Sequence, residues 1–255
     1  MRTALCISGH LRSFLDVYQY IREKVIDPMQ CDIFIHTWST LGGEPRPEKG
    51  DAEGIAKQID IGEVYQAVRP ASLIVESEDS KLKFIDATKH IIVPPDQQCF
   101  IAGRISHHVA MFYSIYKSNQ LKCDFEKLNN FKYDRVIRFR GDIRMGTLFN
   151  YDMFPENDTL YVPIIGRYVD NGINDQVAIA SSHIMDAYAD MYHQIINYYA
   201  NGTVVRRPEA ILKHYLDSKN IKIKELDITY DIYRLDNTIL RQSIMFSDTL
   251  EVRWR

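Results

Sequence analysis

The sequence predicts an α/β fold, a mostly parallel mixed sheet flanked by helices, with residues 1–255 forming one domain. Three observations carry that expectation. Thr3-Ala-Leu-Cys-Ile-Ser8 is a β-favouring run that stops at Gly9, and Phe14, Val17, Tyr18, Ile21 and Val25 then recur at helical spacing. A second apolar run, Cys31-Asp-Ile-Phe-Ile-His-Thr-Trp38, follows Asp27-Pro28, and strand, helix and strand in that order imply a parallel, right-handed crossover. Asp134-Arg-Val-Ile-Arg-Phe-Arg-Gly-Asp142 has the Val, Ile and Phe content of an internal strand and follows another helical stretch.

The first junction, Ser8-Gly9-His10-Leu11-Arg12-Ser13, sets Arg12 beside a helix N-terminus, where unpaired N–H groups and partial positive charge favour anions. It lacks the further glycines of a dinucleotide fingerprint and the Gly-Lys-Ser/Thr of a P-loop. It is therefore either a phosphate site or an ordinary turn with a solvated arginine. His36 and Trp38 share a face at the end of the second strand, near this turn. The Trp38 indole offers a stacking surface to a base or sugar, or else packs in the core.

Leu41 to Gly54 holds the densest Gly/Pro content of the chain and is a candidate lid. A short helix near Ile55–Val64 and a strand Ala71–Glu76 follow, and Ser77 to Phe100, polar and broken by Pro94-Pro95, reads as irregular. Ile105, Val109, Phe112 and Tyr116 mark an amphipathic helix from about Ser106 to Leu121, with His107 and His108 in its first turn.

Along the central strand, alternation turns Arg138, Arg140 and Asp142 toward one face. Three charges on a buried strand are costly unless they meet partners or water. Ligands of open α/β sheets bind outside the carboxyl ends of the strands, where Arg140 and Asp142 fall. The stretch is either the floor of an active site or an ion-pair cluster in which Asp142 neutralises the arginines. Gly141 permits close approach of a ligand or of another backbone.

Thr159–Val162 is a short strand, Tyr168 to Asn174 a polar turn, and Val177–Ala180 a strand preceded by Asn174-Asp175-Gln176. Asp175 is the second acidic candidate, suited to bond a sugar or accept a hydroxyl proton; the alternative is an Asx turn capping the strand. Ile184, Tyr188, Met191, Ile195 and Tyr199 define one helix behind Ser181-Ser182 as N-cap candidates. Pro208 opens a helix over Glu209–Leu216, Ile221–Leu226 is a strand, and the remainder, with Tyr230, Tyr233 and Trp254, reads as an extended tail.

Composition narrows the function classes. A formal net charge of -3 argues against a general nucleic-acid binder. Cys6, Cys31, Cys99 and Cys123 are widely separated and form no zinc-type grouping with histidine, which suggests a reducing compartment. Met1-Arg2-Thr3 runs straight into a strand without a signal-peptide pattern, and no apolar run approaches the ~20 residues of a membrane span. The expected location is cytoplasmic.

Three pieces together carry a resemblance: Ile7-Ser-Gly-His-Leu-Arg-Ser-Phe14 with Asp32-Ile-Phe-Ile-His-Thr-Trp38; Tyr133-Asp-Arg-Val-Ile-Arg-Phe-Arg-Gly-Asp142; and Asn174-Asp-Gln176 followed by Ala-Ser-Ser and Met185-Asp-Ala-Tyr188. In that order they resemble GT-A-type glycosyltransferases of polysaccharide and lipopolysaccharide synthesis from bacteria, algae and large viruses. The likeness covers most of residues 1–200, the expected nucleotide-sugar-binding core, and thins over 201–255, the C-terminal helix, strand and tail. It implies a single GT-A-like, Rossmann-like domain, a nucleoside-diphosphate-sugar donor, a glycan or other hydroxyl acceptor, and a divalent metal.

Where that family carries Asp-x-Asp, this chain reads Arg140-Gly141-Asp142, so only the second aspartate is present. The resemblance then implies Asp142 as ligand of a Mn²⁺ or Mg²⁺ bridging the diphosphate. Ser8, Gly9, Arg12, His36, Trp38, Arg138 and Arg140 would line the donor site, and Asp175 would act as general base. Two other readings stand beside it: another nucleotide-dependent transferase of kinase or sulfotransferase type, and a non-catalytic sugar-binding module.

Overall fold

The computed structural model describes residues 1–42, 57–91, 105–165, 172–201, 207–233 and 239–241. Residues 43–54 of the candidate lid and Trp254 lie outside them. Strands β1 (Thr3–Ser8), β2 (Cys31–Trp38), β3 (Ser72–Glu76), β4 (Arg135–Arg140), β6 (Thr159–Pro163), β7 (Val177–Ala180) and β8 (Lys222–Leu226) build one seven-stranded sheet in the order β3-β2-β1-β4-β7-β6-β8. β1 pairs in parallel with β2 and β4, β2 with β3, and β6 with β8; β7 runs antiparallel to β4 and β6. This is the mostly parallel mixed sheet the sequence predicts, with β4 at its centre.

Strand alternation divides the core. Leu5, Ile7, Ile33, Ile35, Ile137 and Phe139 pack on one face against Phe14, Val17, Ile21 and Val25 of the first helix. That helix, α1 (Phe14–Ile21), continues through a π-helical turn, Arg22–Ile26, into Asp27–Met29. On the other face Ala4, Cys6, Phe34, Trp38 and Val136 meet Val109, Phe112 and Ile115 of the long helix. Each of the larger apolar side chains contributes about 1.5–3 kcal/mol on burial.

Several boundaries differ from the sequence expectation, each for a local reason. The helix expected near 55–64 is α2 (Ile61–Val68), because the Asp60 carboxylate caps it by accepting the Glu63 N–H at 3.0 Å. The stretch from Ser77, expected to be irregular, holds a 3₁₀ turn, Glu78–Lys81, and α3 (Leu82–Thr88), whose Phe84 is buried edge-on against Trp38. The long helix, α4 (Ile105–Asn129), runs well past Leu121. Lys122 and Glu126 break the apolar pattern there, yet both are buried: the Lys122 ammonium donates to Asp186 at 2.6 Å and to Ser182 at 2.8 Å, and lies 3.3 Å from Glu126. Charge pairing replaces apolarity as the reason for burial.

The helix expected over Ile184 to Tyr199 is two, α5 (Ser182–Ala189) and α6 (Ile195–Ala200), separated by a 3₁₀ turn at Asp190–His193. Ser181 occupies the N-cap position without capping; its hydroxyl donates to the Asn157 carbonyl at 2.6 Å, and that of Ser182 to Glu126 at 2.6 Å. α7 (Pro208–Ser218) starts at its proline as expected. The C-terminal stretch is not a plain extended tail. β9 (Tyr230–Tyr233) and β10 (Ile239–Arg241) pair antiparallel and add to β5 (Ile143–Met145) in a second, three-stranded sheet. Among the described residues no helix is long and apolar enough to cross a membrane.

The Lys122 network has a measurable consequence. Burial opposes the charge of Asp186 and Glu126, but hydrogen bonds outweigh it (Lys122 for Asp186; Lys132 and Ser182 for Glu126) and hold both carboxyls below their usual range. A depressed carboxyl stabilises the fold above its unfolded value, about 4, and that contribution is lost as pH falls below it. Lys122→Met removes the ammonium shared by Asp186 and Glu126 and is expected to cost about 3 kcal/mol in urea unfolding at neutral pH, the deficit shrinking below about pH 4. An unchanged midpoint would show that the network does not hold α4 to α5.

Candidate active site

The register of the parallel strands sets the site's floor. Ser8 is opposite His36 on one side and Arg140 on the other, so these three lie side by side at the carboxyl edge of β2, β1 and β4. Cys6, one pleat below, is opposite Arg138. All of them belong to the sheet face covered by α4.

His36 and Trp38 are enclosed. His36 Nδ1 lies 2.7 Å from Ser114 Oγ and its Nε2 lies 3.2 Å from Glu76 Oε1. The Glu76 carboxylate can only accept, which assigns the imidazole proton to Nε2, and Ser114 Oγ also accepts the Gly9 N–H at 2.6 Å. Burial pulls the His36 pKa down to about 4 against the pull of Glu76, which leaves the ring neutral. Trp38 stacks on Tyr113 at 6.0 Å, and the Lys81 ammonium lies 4.7 Å from its ring centre. Both side chains brace the first turn and α4 from within, and the core-packing alternative is the one that describes Trp38.

The first turn is held in uncommon backbone conformations. Gly9 has φ +94° and would carry a Cβ into open space, and Arg12 has φ 48°, its N–H bonded to the Leu41 carbonyl at 2.8 Å. Most of the first-turn donors of α1 are already bonded. The Phe14 N–H goes to Leu11 O, those of Asp16 and Val17 go to Ser13 O, and the Ser13 hydroxyl donates to the Tyr233 carbonyl. What the turn presents is the Arg12 guanidinium. Gly141 admits a backbone of the same chain: a Cβ there would lie 3.1 Å from Leu11 Cα and 3.3 Å from His10 O. His10 is held by Thr40 and Lys81, its Nδ1 donating to Thr40 O at 3.0 Å and its Nε2 facing the Lys81 ammonium at 2.6 Å.

Arg12, Arg138, Arg140, Asp142 and Asp175 do come together at the end of β4. The Asp142 side chain is fully buried, and its Oδ2 accepts from Arg12 at 3.0 Å and from Arg140 at 2.7 Å. The arginine side chains remain 24% and 22% exposed, so the cluster meets solvent through guanidinium groups. Arg138, buried, donates to the main-chain carbonyl of Asp175. Among the described residues the buried Nε of Arg138, the buried Nε of Arg140 and the Ser8 hydroxyl find no hydrogen-bond partner.

Burial pushes the Asp175 carboxyl up, opposed by Arg138 and Arg140. For Arg140 burial works against the charge, but Asp142 and then Asp175 outweigh it and raise its pKa. The Asx turn ahead of β7 is made by Asn174, whose Oδ1 accepts the N–H groups of Gln176 and Val177 at 2.9 and 3.0 Å. Asp175 is thereby left to the arginines. Tyr230, which sequence reasoning missed, joins from β9: its hydroxyl accepts from Asn174 at 2.6 Å and donates to Gln176 at 3.0 Å. Ser114 was also missed; its only signal is a small polar residue between Phe112 and Ile115 on the buried helix face. The buried Tyr188 hydroxyl has no hydrogen-bond partner among the described residues, and its environment includes Arg138, Asp175 and Glu209.

Asp142 does not suit a divalent cation. Such an ion takes several oxygen ligands, whereas this carboxylate oxygen already carries two guanidinium donors and a third arginine lies alongside. The Cys123, Glu126 and Asp186 ligand atoms lie within 4.8 Å of one another, but the Lys122 ammonium sits among them and supplies the positive charge a metal would.

No family model matches the chain, and no curated protein matches it. Among solved structures, apo mouse xyloside xylosyltransferase 1 is similar over 88% of this chain and 84% of its own, with a TM-score of 0.41 and 8% identity.

The histidine geometry can be checked in solution. The unfolded chain binds the His36 proton near pH 6.5 and the folded chain only near about 4, so stability falls as pH drops through that interval. The His36 ring is expected to show no protonation step by NMR above about pH 5. A step near its ordinary value would mean that the ring is not enclosed.

Proposed function

We propose that the protein is a glycosyltransferase moving a sugar from a nucleoside-diphosphate donor to a hydroxyl of a glycan or other acceptor. The observation that carries this reading is the pair of partly exposed guanidinium groups, Arg12 and Arg140, anchored on the sealed Asp142 carboxylate at the carboxyl edge of the central strand. The order of sequence motifs across residues 1–200 supports it independently.

Transfer breaks the bond between the anomeric carbon and the diphosphate oxygen, and the electron pair leaves with the diphosphate. Charge grows on the leaving oxygens, and guanidinium forks already in place stabilise it without reorganisation. The acceptor oxygen bonds to the anomeric carbon and gives up its proton. Asp175 would take that proton, or bond a donor hydroxyl; a carboxyl pushed up by burial is better matched to proton transfer near neutrality than an ordinary one. Gly9, with open space where a Cβ would be, lets a donor approach the turn backbone, next to the unfilled Ser8 hydroxyl. His36 and Trp38 would support this floor from behind, without touching the donor.

Release of free nucleoside diphosphate, measured across a panel of sugar nucleotides, tests the proposal. At least one donor is expected to be turned over, and Arg140→Ala is expected to lower that rate about 100-fold with the circular dichroism unchanged. Release from none of them, as for a lectin, or a response to nucleoside triphosphates alone, as for a kinase, would contradict it.

A further inference from the structure

We infer that the site neutralises a diphosphate with its arginines, Arg12 and Arg140 outermost, and without a metal, and that Asp142 positions those two arginines instead of ligating one. The inference takes the identity of the anion from the proposed transferase reading; the geometry itself is independent of that reading.

The layering of the cluster is its first support. The carboxylate lies innermost, fully buried, and the two arginines lie outside it, each partly exposed. An arriving ligand meets guanidinium before it meets carboxylate. A divalent cation on this carboxylate would lie beside the two guanidinium groups held on Oδ2, and beside Arg138, against like-charge repulsion. An anion meets no such repulsion.

The second support is the set of unfilled donors. The buried Nε groups of Arg138 and Arg140 and the buried Ser8 hydroxyl lack partners among the described residues, on adjacent strands of one sheet face. Buried donors without acceptors are unfavourable, and diphosphate oxygens are acceptors without protons.

The third is the backbone. Arg12 is held at φ 48°, a conformation that costs a non-glycine residue free energy. The Leu41 carbonyl on its N–H and the Asp142 carboxylate on its guanidinium hold it there. Main-chain geometry therefore aims this side chain, and the Gly141 contact with Leu11 keeps the turn at the distance that lets Arg12 reach Asp142. Arg140 is fixed from the other side, its N–H on the Gln176 carbonyl at 3.1 Å.

Calorimetric titration of the full chain with inorganic pyrophosphate, once in EDTA and once with added MnCl₂, tests this. Binding is expected in EDTA, with an affinity changed less than about threefold by manganese, and weakened about tenfold or more by Arg12→Ala or by Arg140→Ala. Asp142→Ala, which cannot hold the pair, is expected to weaken binding as much as loss of one arginine. Binding that appears only with manganese and disappears in Asp142→Asn overturns the inference, as does no binding under either condition. Pyrophosphate binding in EDTA without turnover of any sugar nucleotide supports the arginine site and removes the transferase reading. Turnover that requires manganese keeps that reading and removes this inference.

Discussion

The site depends on one carboxylate oxygen. Isolating an ionised carboxylate from water costs several kcal/mol, and Asp142 is fully buried; Arg12 and Arg140, both donating to its Oδ2, offset that cost. Each arginine comes from a different element, the first turn and the end of β4. The Asp142 carbonyl ties in a third by accepting the Tyr233 N–H at 2.8 Å. First turn, central strand and second sheet are thus joined at one residue, and the Ser13 bond to the Tyr233 carbonyl closes the same loop from the α1 side.

The parallel register decides what surrounds that junction. Because β1 pairs with both β2 and β4, Ser8 has His36 and Arg140 as its neighbours, one on each strand. The His36 side is satisfied internally through Ser114 and Glu76, and Ser114 reaches back to the Gly9 N–H. The Arg140 side is satisfied only in part. One row of the sheet therefore passes from a rigid, fully bonded end that fixes the first turn to an end with donors to spare. Rigidity on one side and unfilled valence on the other are what a site for a highly charged ligand requires.

Much of this was legible in the chain itself. β1, β2 and β4 follow from apolar, β-favouring runs, and the convergence of Arg138, Arg140 and Asp142 follows from their period of two. Of the two readings of that stretch, the ion-pair cluster is the one the structure describes, with Arg12 in the place expected of Arg138; the active-site floor is the reading proposed. Other features could not be read locally. Lys122 and Glu126 look like solvated helix residues until Asp186 and Ser182 arrive from sixty residues away, so the end of α4 depends on tertiary pairing. Trp38 reads as either a stacking surface or core packing, and only the fold, which sets Tyr113 and Phe84 against its ring, decides for the core. The contribution of Tyr230 needs β9 to pair with β5, a contact across more than eighty residues with no sequence signature of its own.

A crystal structure of the protein soaked with a nucleoside diphosphate and MnCl₂, with anomalous data at the manganese edge, addresses the central claim directly. Diphosphate oxygens within hydrogen-bond reach of both Arg12 and Arg140, those arginines still on Asp142, and no anomalous peak at its carboxylate are the expected result. Manganese bound to Asp142 with the arginines turned away, or a diphosphate seated elsewhere, would contradict it.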